Sequence, residues 1–254
     1  MHELLPSLFI TLREGLEAAL IVAVVLAYLR QVDAFASARP VWLGVAAAAG
    51  VSLAAGGVLF LTGSELTGSA EAMFEISIMI AAVVVLTFMM LWMQRQAATQ
   101  GARLRQDVHT ALAMGGGALF WLAFLAVVRE GFESALFLFA AAGDASPIAT
   151  LVGGLAGLLL AFAAGYAVYR GSAKLPLRTF FTLTNVVLVG FAIYLVWSAV
   201  GELGEILGGE AFELLGPVAA AVYGVLMTLS LRRTKRAALS ATPPAAAASE
   251  SRAA

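Results

Sequence analysis

Residues 4–29 read LLPSLFITLREGLEAALIVAVVLAYL, an apolar run broken near its middle by Arg13, Glu14 and Glu17. A helix needs about 20 apolar residues to cross the hydrocarbon core of a bilayer. A charge at its centre costs roughly 2.5–3.5 kcal/mol even on a lenient insertion scale. A run this long that keeps three such charges has to spend them on something. The surrounding chain says that the run is a span. Of 254 residues, 61% are hydrophobic and 12% charged, with a mean hydropathy of +0.94. Soluble domains run at about 45–50% apolar and about 25% charged. So much apolar surface cannot be hidden inside one water-soluble globule, and the fold class is all-α, polytopic and membrane-embedded. The apolar runs lack the alternation of a β-barrel strand.

Seven runs reach spanning length: Leu4–Leu29, Val41–Gly63, Ala72–Met93, Ala111–Ala142, Ile148–Tyr169, Phe180–Val200 and Leu214–Leu231. The first is too long and too charged for a cleaved leader and is expected to be retained. Residues 237–254, with Pro243-Pro244 among alanines, have the composition of a disordered tail. The domain reading is one membrane unit over 1–236: a first half at about 4–94, a second at about 110–200, and an extra helix at about 214–231. Cysteine is absent, which excludes disulfides and thiolate metal sites. The two histidines, His2 and His109, are too few to build a histidine metal site.

Thirteen of the fifteen Lys and Arg residues fall after odd-numbered runs: Arg30, Arg39, Arg95, Arg103, Arg105, Arg170, Lys174, Arg178, Arg232, Arg233, Lys235, Arg236 and Arg252. The opposite loops carry Glu3, Glu65, Glu71, Asp144, Glu202, Glu205, Glu210 and Glu213 and no basic residue. The positive-inside rule predicts an outer amino terminus and a cytoplasmic carboxyl terminus. Topology and anionic lipid account for the basic clusters, and no nucleic-acid partner is expected.

The remaining two basic residues, Arg13 and Arg129, belong to a duplication. Leu12-Arg13-Glu14-Gly15-Leu16-Glu17-Ala18-Ala19-Leu20 returns as Val128-Arg129-Glu130-Gly131-Phe132-Glu133-Ser134-Ala135-Leu136, offset by 116 residues. The predicted topology runs the two copies in opposite directions, which makes a 3+3 inverted repeat plus one appended helix; such folds hold their substrate near the midplane. The second and third runs of each half show no comparable match. At 1.5 Å per residue Glu14 lies about 15 Å, and Glu130 about 18 Å, from the nearer end of its run. Six charged groups at that depth would cost on the order of 15 kcal/mol if isolated. They must meet one another or face water.

Helical spacing puts Arg13, Glu14 and Glu17 within about a 100° arc, and Arg129, Glu130 and Glu133 likewise. Gly15 and Gly131 are expected to let the two motif helices approach each other. Four carboxylates and two guanidiniums then carry a net −2 if all are ionised, a charge that a multivalent cation completes. Carboxylate oxygen suits hard cations such as Fe³⁺, Mn²⁺, Mg²⁺ or Ca²⁺. The other reading of these residues is a pair of internal ion pairs that glue helices.

Paired R-E-G-[LF]-E motifs in the first and fourth of seven helices, with Glu71-Ala72-Met73-Phe74-Glu75 opening the third and Leu91-Trp92-Met93 closing it, resemble the oxidase-dependent iron permeases (iron/lead transporters) of the bacterial EfeU-like branch. The resemblance spans roughly residues 4–235. It implies an inner-membrane, multi-pass iron importer with Glu14, Glu17, Glu130 and Glu133 on the translocation path and Arg13 and Arg129 balancing their charge. It also implies Fe³⁺ or Fe²⁺ as substrate, no tightly bound cofactor, and an extracytoplasmic oxidase, peroxidase or iron-binding protein as partner. Homo-oligomerisation stays open. The loop before the last helix is shorter than in some members.

Glu71, Glu75, Glu202, Glu205, Glu210 and Glu213 form a candidate cation entrance, since an acidic mouth concentrates cations; the alternative is that they merely solvate outer loops. Met73, Met79, Met89, Met90 and Met93 read as lipid or core contacts. Gly153-x-x-x-Gly157 and the small residues from Ala46 to Gly57 read as tight helix packing. No H-E-x-x-H and no nucleophile paired with histidine occurs, so the chain is not read as an enzyme. The other readings are a permease for manganese or lead, or a non-transporting membrane anchor for a periplasmic oxidase or binding protein.

Overall fold

The computed structural model describes residues 4–96, 100–142, 146–170, 177–208 and 211–240. Among them all regular structure is helical: α1 (Leu4–Gln31), a 3-10 turn (Phe35–Ser37), α2 (Ala38–Glu65), α3 (Ser69–Gln96), α4 (Gln100–Met114), α5 (Gly116–Ala142), α6 (Pro147–Tyr169), α7 (Leu177–Leu207) and α8 (Ala211–Ser240). Seven of these match the seven apolar runs, and α4 is extra. The run Ala111–Ala142 is therefore not one helix. Gly115 breaks it at φ 100°, a left-handed conformation that a residue with a Cβ rarely adopts. Its amide closes α4 on Ala111 and Leu112 while its carbonyl accepts from Ala118 to start α5. His109, two residues ahead of that run, lies exposed on α4.

The carboxyl-terminal tail is corrected in the same way. Helix α8 continues through Ser240, so residues 237–240 are helical; residues 241–254 lie outside the described set, as do His2, Glu3, Asp144, Lys174 and Glu210. Helix α7 runs to Leu207, so Glu202 and Glu205 sit on its last turns and not in a loop.

Five helices are apolar and long enough to cross a membrane on length and composition: those covering Phe35–Glu65, Ser69–Met93, Ile148–Ala167, Thr184–Leu207 and Leu214–Arg233. Helices α1 and α5 match them in length, with 28 and 27 residues. Every 18-residue stretch of either carries at least three charges, contributed by its R-E-G-x-E motif and, at the end of α1, Arg30. Helix α4 is different in kind. It has 15 residues, buries Val108 and Ala111 against Val25, Leu29, Val41 and Leu119, and exposes Arg105, Gln106, Asp107 and His109.

The helices pair across the two halves. Helix α1 packs on α6 and α2 on α5, with α1 also touching α5 and α3 packing on α7. Small residues set both close pairs. A Cβ on Gly153 would run into Ser7 and the Leu4 carbonyl, one on Gly157 into Thr11 and the Leu8 carbonyl, one on Gly15 into Ala161, and one on Gly165 into Ala19. On the other side, a Cβ on Gly44 would meet the Phe120 carbonyl and Ala123, one on Gly131 would meet Ser52, and one on Gly56 would touch Ala135. In both pairs the residue numbers rise together, so the helices run parallel. The contacts also correspond: Gly44, Ser52 and Gly56 take in α2 the places of Gly153, Ala161 and Gly165 in α6, a constant offset of 109.

This corrects the expected role of the motif glycines. Gly15 and Gly131 do not bring the motif helices together; each seats its motif helix on the second helix of the other half. The small-residue readings hold for Gly153, Gly157 and Gly56, whereas Gly50 and Gly57 have nothing within 4 Å of a built Cβ.

Because the atoms blocking a Cβ at Gly157 include backbone of α1, the neighbour cannot yield by a rotamer change. Gly157→Ala is expected to lower unfolding stability in detergent by about 1–3 kcal/mol. Gly50→Ala should leave it unchanged or slightly higher, since replacing helical glycine by alanine gains about 1 kcal/mol. Thermal melts of the two purified variants check the contrast.

Candidate metal centre

Each motif lies close to the middle of its helix, residues 13–17 of α1 and 129–133 of α5. Helical spacing turns its charged side chains to one face, and the packing of α1 against α5 sets the two faces together. One carboxylate oxygen each from Glu14, Glu130 and Glu133 lies within 4.8 Å of the others. Oxygens on opposite sides of a hard cation at about 2.1–2.5 Å stand about 4–5 Å apart, so this spacing admits one such ion. Glu14 and Glu130 are buried, and Glu14 Oε2, Glu130 Oε2 and Glu133 Oε2 have no hydrogen-bond partner among the described residues. Leaving buried carboxylate oxygens unmatched is unfavourable; a cation would match them.

The two arginines occupy different surroundings despite the duplicated motif. Arg13 has 0% side-chain exposure. Its Nη1 donates to Glu14 Oε1 at 2.9 Å, and its Nη2 stands 3.1 Å from Glu17 Oε1. Outside its own helix, the guanidinium meets Met89 Sδ at 3.6 Å and Met93 Sδ at 3.1 Å. Arg129 is 44% exposed. It donates from Nε to Glu130 Oε1 at 3.0 Å, approaches Glu133 Oε1 at 3.6 Å, and lies over the Trp92 ring at 5.4 Å. Met89, Trp92 and Met93 share one face of α3 by their spacing, so one helix face touches both motif arginines.

This was not legible beforehand. Met79, Met89 and Met90 are core residues and Met73 is exposed, as expected for apolar fillers. Met89 and Met93 add a polar role, thioether acceptors for a buried guanidinium, that no residue pattern announced. Of the four motif glutamates, Glu17 falls outside the three-oxygen convergence and serves Arg13.

The outer acidic residues are spread more widely. Glu71 is exposed in the first turn of α3 and Glu75 is half-buried one turn further on. Next to Glu75, Phe74 packs edge-on to Phe139 of α5, which in turn packs on Phe60 of α2. Glu202 is half-buried and Glu205 exposed. The side chain of Glu213 lies outside the described residues, as does Glu210 as a whole.

Several apolar helices around buried, paired charge, with carboxylates of two helices converging where they could hold a cation, define a multi-pass membrane protein. Comparison with known proteins names the cation's family. The signature described as "Iron permease FTR1 family" matches residues 4–213. The chain is 36% identical over 199 residues to the "Ferrous iron permease EfeU" of Yersinia pestis, covering 77% of this chain and 71% of that protein. The proteins of the same name from Yersinia pseudotuberculosis serotype I and Escherichia coli O6:K15:H31 match with the same identity and length, over 70% and 72% of their own chains. No solved structure matches. The chain belongs to the iron permease FTR1 family and is a transporter, not an enzyme; its substrate is iron.

The different settings of the arginines give unequal expectations for their removal. Arg13→Gln leaves Glu14 and Glu17 buried without their partner and is expected to cost about 3–5 kcal/mol of stability. Arg129→Gln removes a half-exposed guanidinium but still leaves the buried Glu130 without its partner, and should cost less, about 1–3 kcal/mol. Denaturation of both variants in the same detergent checks the order.

Proposed function

We propose that the chain imports iron across the bacterial inner membrane through the site where Glu14, Glu130 and Glu133 converge, with ferrous iron, the form named for its relatives, as the delivered species. The observation that carries this reading is the convergence, within 4.8 Å, of one carboxylate oxygen each from Glu14, Glu130 and Glu133, drawn from both motif helices; each of the three residues also keeps one buried oxygen without a hydrogen-bond partner among the described residues. Helix gluing needs only the Arg13 and Arg129 pairs and leaves those oxygens without a use.

The topology proposed is seven spans, α1–α3 and α5–α8, with α4 lying at the cytoplasmic surface. Parity supports it. Since α2 and α5 run parallel, an odd number of crossings separates them; α3 supplies one, and α4 none. The parallel pair α1 and α6 is separated by α2, α3 and α5, again an odd number. The constant offsets of 116 between motif helices and 109 between their partners support an inverted repeat, which places the carboxylates near the bilayer midplane. A guanidinium as exposed as Arg129 at that depth has to face water and not lipid, so the site opens on a wet path. Glu71, Glu75, Glu202, Glu205 and Glu213 lie near the ends of helices that this topology puts outside, where with Glu210 they would gather cations from a delivering oxidase, peroxidase or iron-binding protein.

Radioactive ferrous iron uptake into proteoliposomes tests the site. Glu130→Gln and Glu14→Gln are expected to lose uptake at equal incorporation, and Glu17→Gln to keep a measurable part of it. Uptake of manganese in place of iron, or of neither, would overturn the iron reading. The cysteine-free chain makes the topology testable by single labels: Ser64→Cys should react with an impermeant maleimide from outside, and Gln106→Cys only after the inner face is opened.

A further inference from the structure

We propose that Trp92 is a positioning residue for iron binding: its ring is the resting place onto which Arg129 moves when a cation takes the carboxylates. The inference rests on the site reading above and goes beyond it. Arg129 holds Oε1 of both Glu130 and Glu133, two of the three residues whose oxygens converge. A divalent ion arriving there and a guanidinium already there repel each other at short range, where Coulomb forces are strongest. One of the two arginines has to give way.

Arg13 is enclosed, with both terminal nitrogens of its guanidinium engaged. It has no solvent exposure, two carboxylates of its own helix and two thioethers of α3 around it. Arg129 touches carboxylates only of its own helix, is 44% exposed, and already has the Trp92 ring at 5.4 Å, inside the range of about 6 Å at which a ring face attracts a cation. A guanidinium leaving Glu130 and Glu133 inside the membrane needs another favourable neighbour. Among the described residues the ring contact given for Arg129 is Trp92. The aromatic face supplies attraction without a negative charge of its own, so it stabilises the displaced arginine and offers no competing site to the incoming ion. Removing the ring leaves Arg129 on the carboxylates, and iron then competes against a fixed cation.

The measurement is the concentration dependence of radioactive ferrous iron uptake by proteoliposomes containing wild type, Trp92→Leu, Trp92→Phe and, as a packing control, Trp121→Leu. Trp121 is exposed on α5, and its ring contacts among the described residues are with Phe120 and Phe124 of its own helix. Trp92→Leu is expected to raise the iron KM roughly fivefold, the factor that corresponds to a cation–π contact of about 1 kcal/mol, with kcat within about twofold. Trp92→Phe, which keeps a weaker ring, should fall between it and wild type. Trp121→Leu should keep the wild-type KM.

An unchanged KM in Trp92→Leu, or an equal rise in Trp121→Leu, would overturn the proposal. If Trp92→Leu does not fold, Trp92→Phe decides alone: a raised KM supports the proposal and a wild-type KM overturns it. Failure of the site reading looks different, since uptake would then be absent from wild type or insensitive to Glu130→Gln.

Discussion

A guanidinium with no access to solvent, Arg13, is the constraint around which the molecule is arranged. An unpaired charge inside a bilayer is too unfavourable to persist. Glu14 and Glu17 on the same helix answer it electrostatically, and Met89 and Met93 of α3 take up its outer N–H groups. Those contacts tie α1 to α3. Matching the guanidinium in this way leaves one oxygen of Glu14 without a hydrogen-bond partner among the described residues, which is what makes Glu14 available to the proposed site.

The apolar exterior supplies little force to hold helices together in lipid, because lipid tails are as apolar as leucine; close packing of small residues does that work. Here it is done by rows of small residues spaced four apart, Gly153, Gly157, Ala161 and Gly165 in α6 and Gly44, Ala48, Ser52 and Gly56 in α2. Each row accepts a motif helix from the other half. The consequence is that each motif helix is seated on a partner from the other half of the chain, which fixes the carboxylates between them.

Duplication of the motif does not make the two copies equivalent. Arg13 is sealed and Arg129 is half open; Glu17 serves its arginine while its counterpart Glu133 joins the convergence with Glu14 and Glu130. A symmetric cage of four carboxylates would hold a cation from all sides. In the proposed reading, a three-oxygen site with one yielding counter-charge would take up an ion and release it, which is what a permease requires.

The amino-acid sequence by itself determined the class, the helices and the chemistry. Apolar runs of spanning length have one structural outcome in lipid, since the backbone must satisfy its own hydrogen bonds, and six charges inside two such runs announce their function by their expense. Reading the runs located seven helices, the motif glutamates and the iron permease resemblance. Other features were not legible because they depend on which helices meet. Gly115 was hidden inside an apolar run, since composition does not report the sign of φ. The correspondence of α2 with α6 is one of size and not of identity, Ser52 standing against Ala161, so it emerges only from contacts. Gly15 and Gly131 looked like the seam between the motif helices, yet spacing along one helix cannot say which neighbour fills the groove. Met89, Trp92 and Met93 are apolar by any scale, and only the tertiary structure, by setting that face of α3 against one sealed and one half-exposed guanidinium, gave a thioether and an aromatic ring an electrostatic task.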